Sequence, residues 1–244
     1  MSHVSGCDGE ASLEPSGYRV VNLSTAANVH GLHVLVDYIV EVNGQPVDGS
    51  LPLGVLLAGT KGPTAEVMIY NLIENSVRSV GIIRNPMGQF SLGATVRYEY
   101  IQEAVENAVK VISVKKDYPG DEAGLVAGDD YLIALGSGET LNGTAPLYKA
   151  VQALDPSKLE GVSVYAFSVR ESTVRRVELI PRMEPNNRYV LGIELEETSL
   201  PLEEIKGQSS TVQPWQLLQS KREIGTQTEE LSSQLFQYVM STNC

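Results

Sequence analysis

Histidine and cysteine are the side chains here with most chemistry to offer, and their spacing suits little of it. His30 and His33 sit close together in His30-Gly31-Leu32-His33, but their segment supplies neither a carboxylate nor a thiol, so they read as turn histidines. Cys7 and Cys244, the two cysteines, stand near opposite ends. They cannot build a disulfide framework or a Cys-type zinc site, and such a pattern suits a reducing compartment. Asp129-Asp130 reads as a pair of turn acids ahead of a strand, their carboxylates serving the backbone. There is no phosphate-cradling Gly loop, dinucleotide fingerprint, Gly-x-Ser-x-Gly elbow or zinc-protease helix. No nucleophile, base and orienting group come together, so the expectation is a protein without catalytic residues, metal or cofactor.

What remains is chemistry of the main chain, and the elements that would present it repeat. Gly31-Leu32 with Asp37-Tyr38-Ile39-Val40 returns as Gly124-Leu125 with Asp130-Tyr131-Leu132-Ile133, at the same interval. Further on, Leu53-Gly54-Val55-Leu56-Leu57 matches Leu147-Tyr148-Lys149-Ala150-Val151, and Val67-Met68-Ile69-Tyr70-Asn71 matches Val164-Tyr165-Ala166-Phe167-Ser168. Ser76-Val77-Arg78-Ser79-Val80 matches Thr173-Val174-Arg175-Arg176-Val177, and Leu92-Gly93-Ala94 matches Leu191-Gly192-Ile193. Five blocks in one order indicate a tandem duplication. The chain length of 244 residues accommodates two small domains of this kind.

Within each repeat the signals are those of short strands and one short helix. Tyr18 to Leu23 and Asp37 to Val42 read as strands, the second ending in the turn pair Asn43-Gly44. Tyr131 to Leu135 is its counterpart and ends in Gly136-Ser137-Gly138. Leu51 to Ala58 carries apolar residues at one-turn spacing and stops near Gly59. Leu147 to Leu154 does the same, with Pro146 suited to its first turn and Asp155-Pro156 to its end. Glu66 to Asn71 with Ser76 to Ile83, and Val162 to Ser168 with Thr173 to Ile180, read as hairpins. The fold class expected is mostly β with short helices, each module a small, partly open β-barrel capped by a helix. A free strand edge beside a helix is a slot: an extended peptide can add to it through main-chain hydrogen bonds, with free backbone N–H groups holding a terminal carboxylate.

These blocks resemble a known family. Pro119-Gly120-Asp121-Glu122-Ala123-Gly124-Leu125 before Asp130-Tyr131 is similar to a turn of PDZ modules. Gly17-Tyr18, Asp37-Tyr38-Ile39 and above all Ser91-Leu92-Gly93-Ala94-Thr95-Val96-Arg97 resemble the GRASP family of Golgi reassembly and stacking proteins. The resemblance covers about residues 17–195 and implies two tandem, circularly permuted PDZ-like modules. The domains expected are a loose arm at 1–16, a first module at 17–103, a second at 104–197 and an acidic, polar tail at 198–244. By the same resemblance Leu92, Gly93, Ala94 and Val96 line the first peptide groove, and Leu191, Gly192 and Ile193 the second. Some relatives share a zinc ion with a golgin through a His after the opening Gly-Tyr and a Cys after the Val-Arg block. Arg19 and Glu99 stand near those places, so no such site is expected.

The function implied is a non-enzymatic tether of the early secretory pathway, on the cytoplasmic face of the Golgi. Its partners would be C-terminal or internal peptides of golgin-like or cargo proteins, and other copies of itself. Ser2 in place of glycine rules out N-myristoylation as the sequence stands, which leaves peripheral membrane association to an unknown anchor, or a cytosolic chain. A formal net charge of −12 argues against nucleic acid. In the tail, Glu229 to Met240 has the spacing of an amphipathic helix, and Ile224-Gly225-Thr226-Gln227-Thr228-Glu229 resembles the short peptide that binds dynein light chain by strand addition. Gly225, Thr226, Gln227 and Thr228 are therefore a candidate linear motif. The alternatives are a cytosolic PDZ adaptor outside the Golgi and a regulatory PDZ subunit of a protease system.

Overall fold

The computed structural model describes residues 15–24, 30–155, 158, 160–185 and 188–202. The motif at Gly225 to Thr228, the tail helix at Glu229 to Met240, Ser2 and both cysteines lie outside them.

Two antiparallel sheets carry the chain. The first contains β1 (Ser16–Leu23), β2 (Asp37–Val42), β3 (Gln45–Pro46), β4 (Thr64–Asn71), β5 (Ser76–Ile83) and β6 (Ala94–Tyr100), with α1 (Leu53–Ala58) between β3 and β4. After α2 (Ile101–Glu106) come β7 (Ala108–Val114), α3 (Pro119–Glu122), β8 (Asp130–Leu135), α4 (Ala145–Gln152), β9 (Val162–Ser168) and β10 (Thr173–Leu179). The small hairpin of β11 (Arg182–Met183) and β12 (Tyr189–Val190) leads into β13 (Ile193–Thr198). The first sheet runs β5-β4-β2-β1-β6 and the second β10-β9-β8-β7-β13, so the matched sequence blocks occupy matched strands. Each half closes with a strand that returns beside the half's first strand. The architecture is mostly β with short helices. The sheets are open and do not close into barrels: each path ends on a strand paired along one edge.

Local chemistry explains most element ends. Asn43 and Gly44 take φ of 50° and 78°, the positive pair that a two-residue hairpin turn needs. The first helix starts two residues later than expected, because Pro52 stands at its N-cap and fixes an extended entry. α4 ends at Gln152, ahead of the Asp155-Pro156 stop, with Pro146 in its first turn. Both helices bury an i, i+4 pair, Leu53 with Leu57 and Leu147 with Val151.

Three apolar clusters result. Tyr18, Val20, Ile39, Val67, Ile69, Leu57 and Leu92 belong to a core private to the first half. Val109, Val111, Leu132, Leu147, Val164 and Leu191 belong to one private to the second. A third joins the halves, with Val21, Tyr38, Val40 and Tyr70 from one side and Tyr131, Ile133 and Phe167 from the other. β1 shows the cause: its side chains alternate, so Tyr18 and Val20 enter the first half's core while Val21 turns to the shared one. Val21 therefore lies on the opposite face from Tyr18 and Val20.

Candidate functional site

β6 hydrogen-bonds to β1 along its whole length, from Ala94 opposite Leu23 to Tyr100 opposite Ser16, and is the end of its sheet. Its other edge faces α1. Between them is a cavity of about 480 Å³ lined by Leu53, Gly54 and Leu57 of α1, by Phe90 to Val96 and by Asn22 and Ser24. Leu92, Gly93, Ala94 and Val96, named from the sequence, all border it. Leu92 is buried. Ala94, Val96 and Tyr98 pack on the same core, as alternation along β6 requires. Arg84 lies over the Phe90 ring at 4.2 Å, fixing that wall.

The loop ahead of β6 turns through Gly93 with φ of 62°, and its counterpart turns through Gly192 with φ of 67°. A left-handed backbone is reason enough for glycine at both places. The Gly93 carbonyl accepts from the Ser24 amide at 2.8 Å and the Ser24 hydroxyl at 3.0 Å, and its N–H donates to Ser91 Oγ at 3.3 Å. This fastens the loop to β1.

The corresponding loop of the second half is held otherwise. Leu191 is buried, the Gly120 amide of α3 donates to its carbonyl at 2.9 Å, and Lys115 N–H donates to the Gly192 carbonyl at 2.8 Å. Tyr118 lies against Gly192, with Lys115 at 3.8 Å and Arg182 at 4.9 Å from its ring centre. Ile193 packs against Gly120. A second cavity, about 250 Å³, lies at the far end of β13 among Glu106, Asn107, Asn142, Gly143, Glu197 and Ser199, away from Leu191, Gly192 and Ile193.

Arg19 and Glu99 meet where the halves join. Arg19, almost wholly buried, donates from Nε to the Leu35 carbonyl at 2.8 Å and from an Nη to Glu99 at 3.1 Å and to Thr140 Oγ1 of the second half at 2.6 Å. Thr140 in turn donates to Glu99 at 3.0 Å, and Arg97 donates to the Gly138 carbonyl at 3.1 Å. The zinc ion implied for some relatives does not fit this pair. A guanidinium offers a cation no lone pair, and the Glu99 carboxylate is engaged by Arg19 and Thr140. Among the described residues no group of three or more His, Cys, Asp or Glu is placed to hold a metal.

Buried ion pairs are the residues that sequence reading missed. Asp37, with no exposed surface, accepts from Asn71 at 2.7 Å, from the His33 amide at 2.8 Å and from Arg78, which also reaches the Gly31 carbonyl at 2.8 Å. Asp130 repeats this with Arg175 at 2.7 and 2.6 Å, the Val126 amide at 2.7 Å and Arg175 on the Gly124 carbonyl at 3.0 Å. Two expectations are corrected. His33 has a carboxylate nearby, its Nδ1 standing 3.6 Å from Asp37. Asp130 is an ion-pair residue as well as a backbone acceptor, whereas Asp129 serves Ser168 and the Arg170 amide. The bond to Asp130 raises the Arg175 pKa above its ordinary value. The signal was present: Asp37, Asp130, Arg78 and Arg175 all stood in the matched blocks.

The family signature described as GRASP55/65 PDZ-like domain matches residues 67–201, more than half of the chain. The chain belongs to the GRASP family. Among curated proteins, Golgi reassembly-stacking protein 1 of Mus musculus is 26% identical over 176 residues, 68% of this chain and 39% of that protein. An uncharacterized protein of Schizosaccharomyces pombe is 23% identical over 184 residues, 74% of this chain and 51% of that one. The GRASP chain described here thus spans about half the length, or less, of these relatives. No helix among its described residues is long and apolar enough to cross a membrane.

Proposed function

We propose that this GRASP-family chain is a non-enzymatic scaffold that takes extended peptide segments onto β6 and so links proteins, and the membranes bearing them, at the cytoplasmic face of the Golgi. The observation that carries this is the unshared edge of β6, opening on an uncharged cavity between α1 and the Gly93 loop. Backbone pairing supplies affinity on such an edge, and alternate side chains entering the cavity supply selectivity. Leu92, Gly93, Ala94 and Val96 make the first groove, and Leu191, Gly192 and Ile193 border the equivalent place in the second half. The ligands are C-terminal or internal peptides of golgin-like or cargo proteins, including peptides of another copy. Weak single contacts suffice when many copies face each other on apposed membranes, because tethering raises the effective concentration. Attachment is peripheral, through an anchor not identified.

The test pairs binding with location. Purified chain is titrated with a random C-terminal peptide library, and a tagged copy is imaged before and after dispersal of the secretory pathway. Saturable binding, lost on a charged substitution such as Val96→Asp, with a signal that follows Golgi markers, is the expected result. A diffuse signal indifferent to dispersal, or no retained peptide, overturns the reading. The dynein light-chain motif at Gly225, Thr226, Gln227 and Thr228 is tested separately by pull-down against Gln227→Ala.

A further inference from the structure

β6 is one end of the first sheet. β5 is the other, and it pairs with β4 alone. Successive residues of an antiparallel pair turn their main chain toward the partner strand and away from it by turns. Glu66 of β4 donates its N–H to the Asn43 side chain and accepts the Asn43 amide on its carbonyl, both on the side away from β5. Gly81 stands opposite Glu66, so its own N–H and carbonyl point outward. Val77, Ser79 and Ile83 share that phase. Arg84, in the other phase, donates its amide inward to the Pro63 carbonyl at 3.0 Å. The outward groups of Val77, Ser79, Gly81 and Ile83 have no main-chain partner among the described residues.

The side chains at these places suit a neighbour. Ser79, Gly81 and Ile83 are exposed, Ile83 by 72%. Gly81 has no positive φ, and an added Cβ would meet only a Thr64 methyl at 3.4 Å. Neither backbone conformation nor packing within the chain calls for glycine there, whereas close approach of another strand does. The matched edge of β10 carries Arg176 and Glu178 at the places of Ser79 and Gly81. Charges on an edge strand are a common guard against strand addition, and the outward residues of β5 have none.

The edge also complements itself. With two copies of β5 antiparallel about an axis at Val80, Val77 falls opposite Ile83 and Ser79 opposite Gly81. Apolar meets apolar and small meets small. Arg78 falls opposite Ile82, so no like charges face each other across the seam. All four outward residues then exchange both main-chain bonds.

We propose that β5 is a homodimer edge, to which a second copy of this chain adds its own β5 in that register. The two five-strand paths become one sheet, with a β6 slot at each far end.

The test uses the full chain. Sedimentation between about 1 μM and 1 mM gives the association constant, and amide exchange by NMR at both ends of that range gives the site. Expected are a monomer–dimer equilibrium and, in the concentrated sample, exchange slowed about tenfold at Val77, Ser79, Gly81 and Ile83 with Val174, Arg176 and Glu178 unchanged. Ser79→Arg with Gly81→Arg sets like charges opposite each other across the seam, beside Glu66 in their own chain, and should weaken the dimer about tenfold or more. Ser79→Pro removes one outward N–H and no bond to β4, and should weaken it by a similar factor. Unchanged melting temperatures show that both variants fold. Val96→Asp, on the opposite edge of the sheet, should leave the dimer as it is. A monomer at every concentration, a dimer that neither β5 variant weakens, protection on β10 in place of β5, or loss of the dimer in Val96→Asp overturns the inference. None of these outcomes touches the peptide reading, which stands or falls on its own titration.

Discussion

The two halves agree where they are buried and polar, and differ where they are open. Asp37 with Arg78, the His33 amide and the Gly31 carbonyl is repeated by Asp130 with Arg175, the Val126 amide and the Gly124 carbonyl. A cation on the first strand lies over a tyrosine on its neighbour in both, Arg19 over Tyr38 and Lys110 over Tyr131. The slot walls are not repeated: Gly54 faces the first cavity and Tyr148 takes its place in the second helix. A buried carboxylate holding a strand and a loop at once tolerates no substitute. A slot wall touches mainly what enters from outside and can change without unfolding the half.

The largest expected effect attacks the shared part. Asp37→Ala and Asp130→Ala each leave an arginine without its carboxylate and strip a buried loop amide of its acceptor, at about 3–5 kcal/mol each. Urea unfolding of the two variants should give nearly equal losses; a loss in one half only would mean that the pairs are not equivalent. Next come Gly49 and Gly143, with φ of 76° and 77°. An added Cβ would stand 2.5 Å from the Tyr98 ring in one case and 2.6 Å from the Glu197 carboxylate in the other. Both alanine variants incur the left-handed strain of about 1 kcal/mol. Gly49→Ala must also displace a packed ring, whereas a carboxylate can swing away, so it should cost about 1–2 kcal/mol more. Equal melting temperatures for the two variants would show the Tyr98 ring to be as yielding as the carboxylate.

Tyr38 gives the third contrast. It is fully buried in the shared core, and its hydroxyl finds no partner among the described residues. Burial pushes its pKa up to about 12; Arg19 opposes this and Glu99 adds to it. Burial also raises that of Tyr70. The folded state thus keeps protons that the unfolded chain releases near pH 10. Stability is intact below about pH 10 and falls as pH rises toward 12, by about 1.4 kcal/mol per pH unit for Tyr38. Tyr38→Phe should be neutral or stabilising by about 1 kcal/mol at pH 7, because it removes an unpaired buried hydroxyl, and should flatten the alkaline limb. A loss at pH 7 would mean that the hydroxyl has a partner after all.

Much of this was legible because the physics is local. Asn43-Gly44 announced its turn, and the apolar runs of β2, β4, β8 and β9 announced their strands. Leu92, Gly93, Ala94 and Val96 were carried over from the family resemblance of Ser91 to Arg97, and they border one cavity because loop and strand follow one another there. The Asp–Arg pairs were harder, since their members lie 41 and 45 residues apart and meet only across a sheet. β7 went unrecognised as the counterpart of β1, although Val109 and Val111 alternate with Lys110 in the pattern of a strand. The shared core was hidden because β1 and β2 bury both faces, and continuous apolar sequence does not say which face meets which neighbour.

The smallest effect lies at the far end of the two closing strands, where the second half has Glu197 beside its glycine and the first has Tyr98. Glu197 accepts from the Thr144 amide at 2.8 Å and from its hydroxyl at 3.0 Å, and these bonds hold its pKa below the ordinary carboxylate value. A depressed folded value stabilises above the unfolded one and is lost as pH falls through the folded one. Full exposure and ready screening keep the contribution small. The Thr144 amide resonance should therefore titrate on acidification with a midpoint below the usual glutamate range. Glu197→Gln should abolish that titration and leave the alkaline limb set by Tyr38 unchanged. A Thr144 amide that titrates unaltered in the variant would mean that another acid holds the loop, and that the two far ends resemble each other more than Tyr98 and Glu197 suggest.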